Sequence, residues 1–155
     1  MLKAIKAFFD AHIVQEEAAK EDADQIAVAA LLVEVMLSDG SISPPEEASL
    51  NTFLQAFLKL PDAQVTTLIE LAKSASHDAQ DLYQFTRLIN DHFDYEKRCK
   101  LIQGLWGIAY ADHHLDQYEE HRIRKISDLL YIRHSDFVKA KIAANPQATN
   151  QQKKP

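Results

Sequence analysis

Five carboxylates in two short stretches, Asp39 and Glu47 in the first and Asp112, Asp116 and Glu120 in the second, have types and spacing that suit chemistry. Hard oxygen donors grouped this way suit a divalent cation, calcium or magnesium before zinc, that keeps several of its waters. The run Asp39-Gly40-Ser41-Ile42-Ser43-Pro44-Pro45-Glu46 matches the second half of an EF-hand loop, with Asp, Gly, an aliphatic residue and a closing Glu in register. The first half fails. Val35 and Leu37, with Ile108 and Tyr110 in the second copy, stand where the earlier carboxylates belong, so the EF-hand is rejected. What remains is a more open site shared by both stretches. Ser43 with Glu46, and Asp116 with Glu119, also read as capping boxes, each cap contributing about 1 kcal/mol. Capping and coordination both stay open, because capping leaves Asp39 and Asp112 without a role.

The elements that must position these carboxylates are helices. Leu32, Val33, Val35, Asp39, Ile42, Glu46, Glu47, Leu50, Phe53 and Phe57 align without gaps, at an offset of 73 residues, on Leu105, Trp106, Ile108, Asp112, Leu115, Glu119, Glu120, Ile123, Ile126 and Leu130. Each copy reads as helix, acidic turn, capped helix. Neither hairpin can bury its apolar stripe alone, so the expected fold is all-α, a compact bundle of seven to eight helices in which the two hairpins pack with pseudo-twofold symmetry. Further apolar stripes fall at Ile26, Ala29, Ala30, Val33 and Leu37, at Val65, Leu68, Ile69 and Ala72 after Pro61, and at Leu82, Phe85, Ile89 and Phe93 after Asp78. Asp94 caps a helix that carries Ile102, Leu105, Trp106 and Ala109, and Ser135 starts a last short one. Gly104 and Gly107 would each cost that helix about 1 kcal/mol relative to Ala, which points to a close helix crossing there. Residues 1–17 read as an N-terminal amphipathic helix, 22–144 as the helical domain and 145–155 as a disordered tail.

Composition removes several function classes. With 3 glycines the chain has no material for a Gly-rich phosphate cradle, and its single cysteine, Cys99, excludes an internal disulfide or a cysteine-built zinc site. Net charge is -6, divided as -10 over residues 1–94 and +4 over residues 95–155. A broad cationic face for nucleic acid is therefore disfavoured, while an acidic partner could meet the basic end. Two lysines in the N-terminal segment give little attraction to anionic lipid, so that segment is expected to pack on the domain or on a second copy of the chain. No signal peptide is recognisable, and the default address is the cytoplasm. His77, His92 and His121 stand apart, so no catalytic triad assembles.

The acidic turns, together with Asp81-Leu82-Tyr83-Gln84-Phe85-Thr86-Arg87-Leu88-Ile89-Asn90, Leu105-Trp106-Gly107-Ile108-Ala109-Tyr110-Ala111-Asp112 and Tyr118-Glu119-Glu120-His121-Arg122-Ile123-Arg124, give a pattern over residues 22–144 that resembles the TerB family of bacterial tellurite-resistance proteins. The resemblance implies an all-helical domain related to the N-terminal region of a DnaJ-type membrane co-chaperone. It also implies stress-response and metal-linked roles and no established catalytic activity. One departure bears on the site: Ala111-Asp112-His113-His114 stands where the family usually reads Ala-Asp-Gly, and two imidazoles beside carboxylates would favour zinc or nickel. Cys99, flanked by Lys97, Arg98 and Lys100 near a helix start, reads either as a reactive thiol or as an inert half-buried one. The expected function is a non-enzymatic module that binds a protein partner and a divalent cation. The alternatives are a small metal-dependent hydrolase and an oligomeric or membrane-surface adaptor that uses the N-terminal helix.

Overall fold

The computed structural model of the chain describes residues 16–37, 40–76, 82–111, 115 and 117–145. Seven helices run through them: α1 (Glu16–Met36), α2 (Pro44–Leu58), α3 (Asp62–Ser76), α4 (Tyr83–His92), α5 (Tyr95–Ala109), α6 (Gln117–Leu129) and α7 (His134–Ala144). No strand occurs among the described residues, so the fold is the all-α bundle that the periodicity predicts. Residues 1–15 of the N-terminal segment, the start of a helix at Asp78, and the tail beyond Asn145 lie outside the described residues. No helix among the described residues is long and apolar enough to cross a membrane.

Local chemistry sets the helix ends. Ser43 caps α2 with a reciprocal pair: its Oγ accepts from the Glu46 amide at 3.3 Å, and its own amide donates to Glu46 Oε1 at 3.1 Å. Pro44 and Pro45 occupy the first turn, where a missing N–H leaves nothing unsatisfied. At the other end Lys59 adopts a left-handed φ of 56°, and the Leu60 amide closes back onto the Gln55 carbonyl at 3.2 Å. The Pro61 carbonyl starts α3 by accepting from Gln64 and Val65 at 3.1 Å each. Asp94 caps α5 as expected, accepting from the Lys97 amide at 2.8 Å.

Packing centres on α1. From Ile26 to Val33 every residue is buried, so this helix is wrapped on all sides and not along the single stripe that its sequence suggests. It lies along α3 and α4 and also touches α2, α5 and α6, while α5 lies along α7 and touches α2 and α6. The packing of α1 on α3 resembles that of α5 on α7, but the close packing of α2 on α3 is not repeated between α6 and α7, so the expected pseudo-twofold repeat is not carried through the fold. Burial follows the sequence repeat in part. Leu32 and Leu105, Val35 and Ile108, Glu46 and Glu119, and Leu50 and Ile123 are buried in both members, whereas Phe53 and Phe57 are half-buried where Ile126 and Leu130 are fully covered.

The two helix glycines separate. A Cβ on Gly104 would stand 2.2 Å from Phe53 Cε2 and 2.3 Å from its Cζ, which is the close crossing of α2 on α5. Gly107 is exposed and has nothing within 4 Å of that position, so the crossing expected at both glycines exists only at Gly104. Gly107→Ala is therefore expected to stabilise the fold by about 0.5–1 kcal/mol through helix propensity alone. Gly104→Ala gains the same propensity but must displace a ring that stacks on Phe57 at a 5.1 Å centroid separation. We expect a net loss of about 1–2 kcal/mol, less than a buried overpacking maximum because Phe53 has a solvent side. Urea unfolding of the two variants reads the opposite signs, and equal behaviour of both would contradict the crossing.

Candidate acidic-turn site

Two of the five carboxylates singled out by spacing fall on described helices. Glu47, in the first turn of α2, is exposed and lies with one oxygen 3.3 Å from Lys73 Nζ on α3. Glu120, in the first turn of α6, lies 2.5 Å from Lys141 Nζ on α7, and that ammonium also sits 5.3 Å from the centroid of the Trp106 ring. Each acidic turn thus has its trailing glutamate paired with a lysine from the helix that follows. Asp39, Asp112 and Asp116, with His113 and His114, lie outside the described residues. Among the described residues no group of three or more His, Cys, Asp or Glu side chains is placed to hold a metal ion.

The glutamates that spacing assigned only to capping turn out to be the buried ones. Glu46 and Glu119 are each 2% exposed, although both occupy the first turn of an otherwise solvated helix start. Glu46 uses Oε1 in the cap, and its Oε2 has no hydrogen-bond partner among the described residues. An oxygen of that kind, removed from water, is costly unless something satisfies it. The adjacent pairs Glu46-Glu47 and Glu119-Glu120 held the signal. Each places one carboxyl inward and one outward on successive residues of a helix, and periodicity alone does not say which.

A further contact joins two of the helices that flank the acidic stretches. Glu34, in the last turn of α1, accepts from Arg122 Nη1 on α6 at 3.1 Å. This pair ties the last turn of α1 to α6. Elsewhere His92 Nδ1 meets Asp24 Oδ1 at 2.5 Å, which joins α4 to α1, so this histidine is not isolated as its sequence position suggests. Cys99 is half-buried and packed against the core.

Protonation reinforces these contacts at the alkaline end. Burial pulls the Lys73 ammonium down from its ordinary 10.5, but hydrogen bonds and charge from Glu47 and Glu70 outweigh it and leave the group raised. Tyr95 is raised above 10.0 by burial and by its hydrogen bond to Asp136, and Tyr110 by burial, with Lys141 opposing and Glu120 adding to the shift. In all three the folded chain holds its proton to higher pH than the unfolded chain does. Stability is then level below about pH 10 and falls as pH rises beyond it, since the unfolded state binds fewer protons there. Denaturant midpoints measured from pH 8 upward check this, and a midpoint that rises above pH 10 would contradict it.

A family model described as Tellurite resistance protein TerB matches residues 25–142. No curated protein and no solved structure matches the chain.

Proposed function

Because the chain belongs to the TerB family of tellurite-resistance proteins, we propose that it is a non-enzymatic stress-response module that binds a protein partner and, at its paired acidic turns, a divalent cation. The observation that carries this reading is Glu46, a carboxyl group 2% exposed at the start of α2 with Oε2 unpartnered among the described residues. A hard cation satisfies such an oxygen, and the two acidic stretches of the sequence hold more carboxylates of the same kind in Asp39, Asp112 and Asp116. Glu47 and Glu120 complete the proposed set only by leaving Lys73 and Lys141. The Glu47 pair is exposed and the Glu120 pair half-buried, and surface ion pairs contribute about 0–1 kcal/mol, so both can be exchanged for a cation. The cation would bridge the two acidic stretches and present a different surface charge to a partner in its bound and free states. It would act as a structural and regulatory ion, with calcium or magnesium favoured over zinc by an all-oxygen donor set.

Thermal melts in chelator and in millimolar calcium, magnesium, manganese or zinc test the cation arm, because a ligand that binds only the folded state raises the midpoint with concentration. Midpoints unmoved by all four ions would sink that arm. Proteins recovered with the tagged chain at native expression level, compared with and without added calcium, test the partner arm.

A further inference from the structure

Helices α2 and α5 cross at Gly104, and beside the crossing Phe53, Ala56, Phe57, Lys100, Gln103 and Gly104 line an open groove of about 470 Å³. We infer that this groove docks an amphipathic helix of a protein partner, one that carries carboxylates beside its apolar face. The inference rests on the partner-binding arm of the proposed function and gives that arm a surface.

The floor is aromatic. Phe53 and Phe57 stack on each other, and the Phe57 ring meets that of Phe93 at a 6.1 Å centroid separation. Phe53 and Phe57 are only half-buried, whereas Ile126 and Leu130, which align on them in sequence, are covered. They keep apolar area in water that a partner's apolar face would remove. No strand occurs among the described residues, so there is no sheet edge for an extended peptide to join, and a helix laid in the groove is the mode that remains. Gly107 agrees with this. By helical spacing it shares a face of α5 with Lys100, Gln103 and Gly104, it is exposed, and nothing lies within 4 Å of its Cβ position. The fold itself gives no reason for a glycine there, which weakens the helix, but a partner helix that approaches α5 closely does.

The rim sets the sign of the partner. In a chain of net charge -6, α2 from Ala48 to Leu58 and α5 from Lys97 to Ala109 carry no carboxylate. Lys100 lines the groove, and the Lys97 ammonium lies 4.1 Å from the Phe93 ring centroid and 5.7 Å from that of Phe57. Neither lysine forms an ion pair among the described residues, although Glu96 precedes Lys97 directly and Lys100 by one helical turn. Two uncancelled ammonium groups beside an apolar floor complement carboxylates that flank an apolar stripe. An anionic lipid surface fits less well, because two lysines attract it weakly and the apolar area is recessed between helices.

Fluorescence anisotropy of labelled peptides of about 15 residues, titrated with the full chain in chelator so that the acidic turns are silent, tests the groove. The first probe is a helix with leucines on one face and glutamates elsewhere, the second has lysine for each glutamate, and the third is residues 1–14 of this chain. The glutamate probe is expected to bind with a micromolar Kd, at least about tenfold tighter than the lysine probe, and to weaken as salt is added. Ala56→Glu and Lys100→Glu, both at exposed positions, should each weaken it by at least about tenfold. Lys125→Glu, the same charge change on α6 outside the groove, should leave it within about twofold of the parent. A lysine probe as tight as the glutamate probe, no binding short of millimolar, or a loss in Lys125→Glu equal to that in Lys100→Glu would each overturn the inference. So would a different occupant: a residue 1–14 probe that binds tighter than the glutamate probe, a parent dimer that Ala56→Glu dissociates, or co-sedimentation with phosphatidylserine vesicles that Lys100→Glu abolishes. Partners recovered with the tagged chain and kept by Ala56→Glu would overturn the groove and leave the partner arm standing.

Discussion

Trp106→Ala is expected to destabilise the fold by about 3–5 kcal/mol, the range for truncating a large buried aromatic. Trp106 is fully buried on α5, with the Phe137 ring of α7 at 5.4 Å, the Tyr110 ring at 6.0 Å and the Lys141 ammonium over its face. Truncation would empty the seam between α5 and α7 and remove the surface on which the lysine partner of Glu120 rests. Trp106→Phe is the informative companion. It keeps an apolar ring against Phe137 and deletes the indole Nε1, a buried donor with no hydrogen-bond partner among the described residues. We expect it to recover more than half of the loss, because the deleted group was already unsatisfied. Trp106 is the sole tryptophan, so unfolding should be followed by circular dichroism and not by fluorescence. A loss under about 1 kcal/mol for Trp106→Ala would place the indole outside the core.

Arg98→Ala is expected to cost about 2–3 kcal/mol, the scale for hydrogen bonds that involve a charged group. Helix α6 ends with carbonyls that the helix itself cannot satisfy. Asn90 Nδ2 donates to the Leu129 carbonyl at 2.9 Å, and Arg98 Nη1 donates to the Leu130 carbonyl at 2.6 Å and to Asn90 Oδ1 at 3.3 Å. One guanidinium thus joins α4, α5 and the end of α6, where a positive charge also suits the helix dipole. Tyr131 follows with a left-handed φ of 56°, a conformation that a non-glycine residue holds only when its surroundings impose it. Arg98→Lys should recover only part of the loss, since a single ammonium cannot serve the acceptors of Nη1 and also replace the Nε bond to the Asp94 carbonyl at 3.4 Å. A chemical-denaturation series over the parent and both variants reads this, and an Arg98→Ala loss near zero would show that water replaces the guanidinium.

Caps and stripes were legible because they depend on neighbours in sequence. Ser43 with Glu46, Asp94 before Lys97, and the spacing of Val65, Leu68, Ile69 and Ala72 each carry their physics within one or two turns. Depth was not legible. Ala27, Val28 and Leu31 lie off the stripe that marked α1, yet all are buried, because burial on every side depends on how many helices surround an element and not on its own period. Arg98 read as a charge beside Cys99, whereas its partners Asn90 and Leu130 lie 8 and 32 residues away in the chain, a register that helix periodicity leaves unspecified. The acidic turns divide the same way. Spacing found two equivalent stretches, and the fold then set Glu46 and Glu119 inward and Glu47 and Glu120 outward onto lysines.

The most direct measurement is a calorimetric calcium titration of the parent chain, of Asp39→Asn with Asp112→Asn, and of Glu46→Gln, each paired with a melt in chelator. Gln at position 46 keeps the oxygen that accepts from the Ser43 amide and replaces a buried, half-satisfied carboxyl by a neutral group, so the apo fold should melt at least as high as the parent. Asn at 39 and 112 keeps the local turn chemistry and should leave the apo midpoint in place. Both variants are expected to lose calcium affinity by at least about tenfold while staying folded, as removal of a charged hard-oxygen ligand requires. A parent chain that binds no calcium, or variants that fold normally and bind it as tightly as the parent, would contradict coordination at the acidic turns and leave these residues as helix caps.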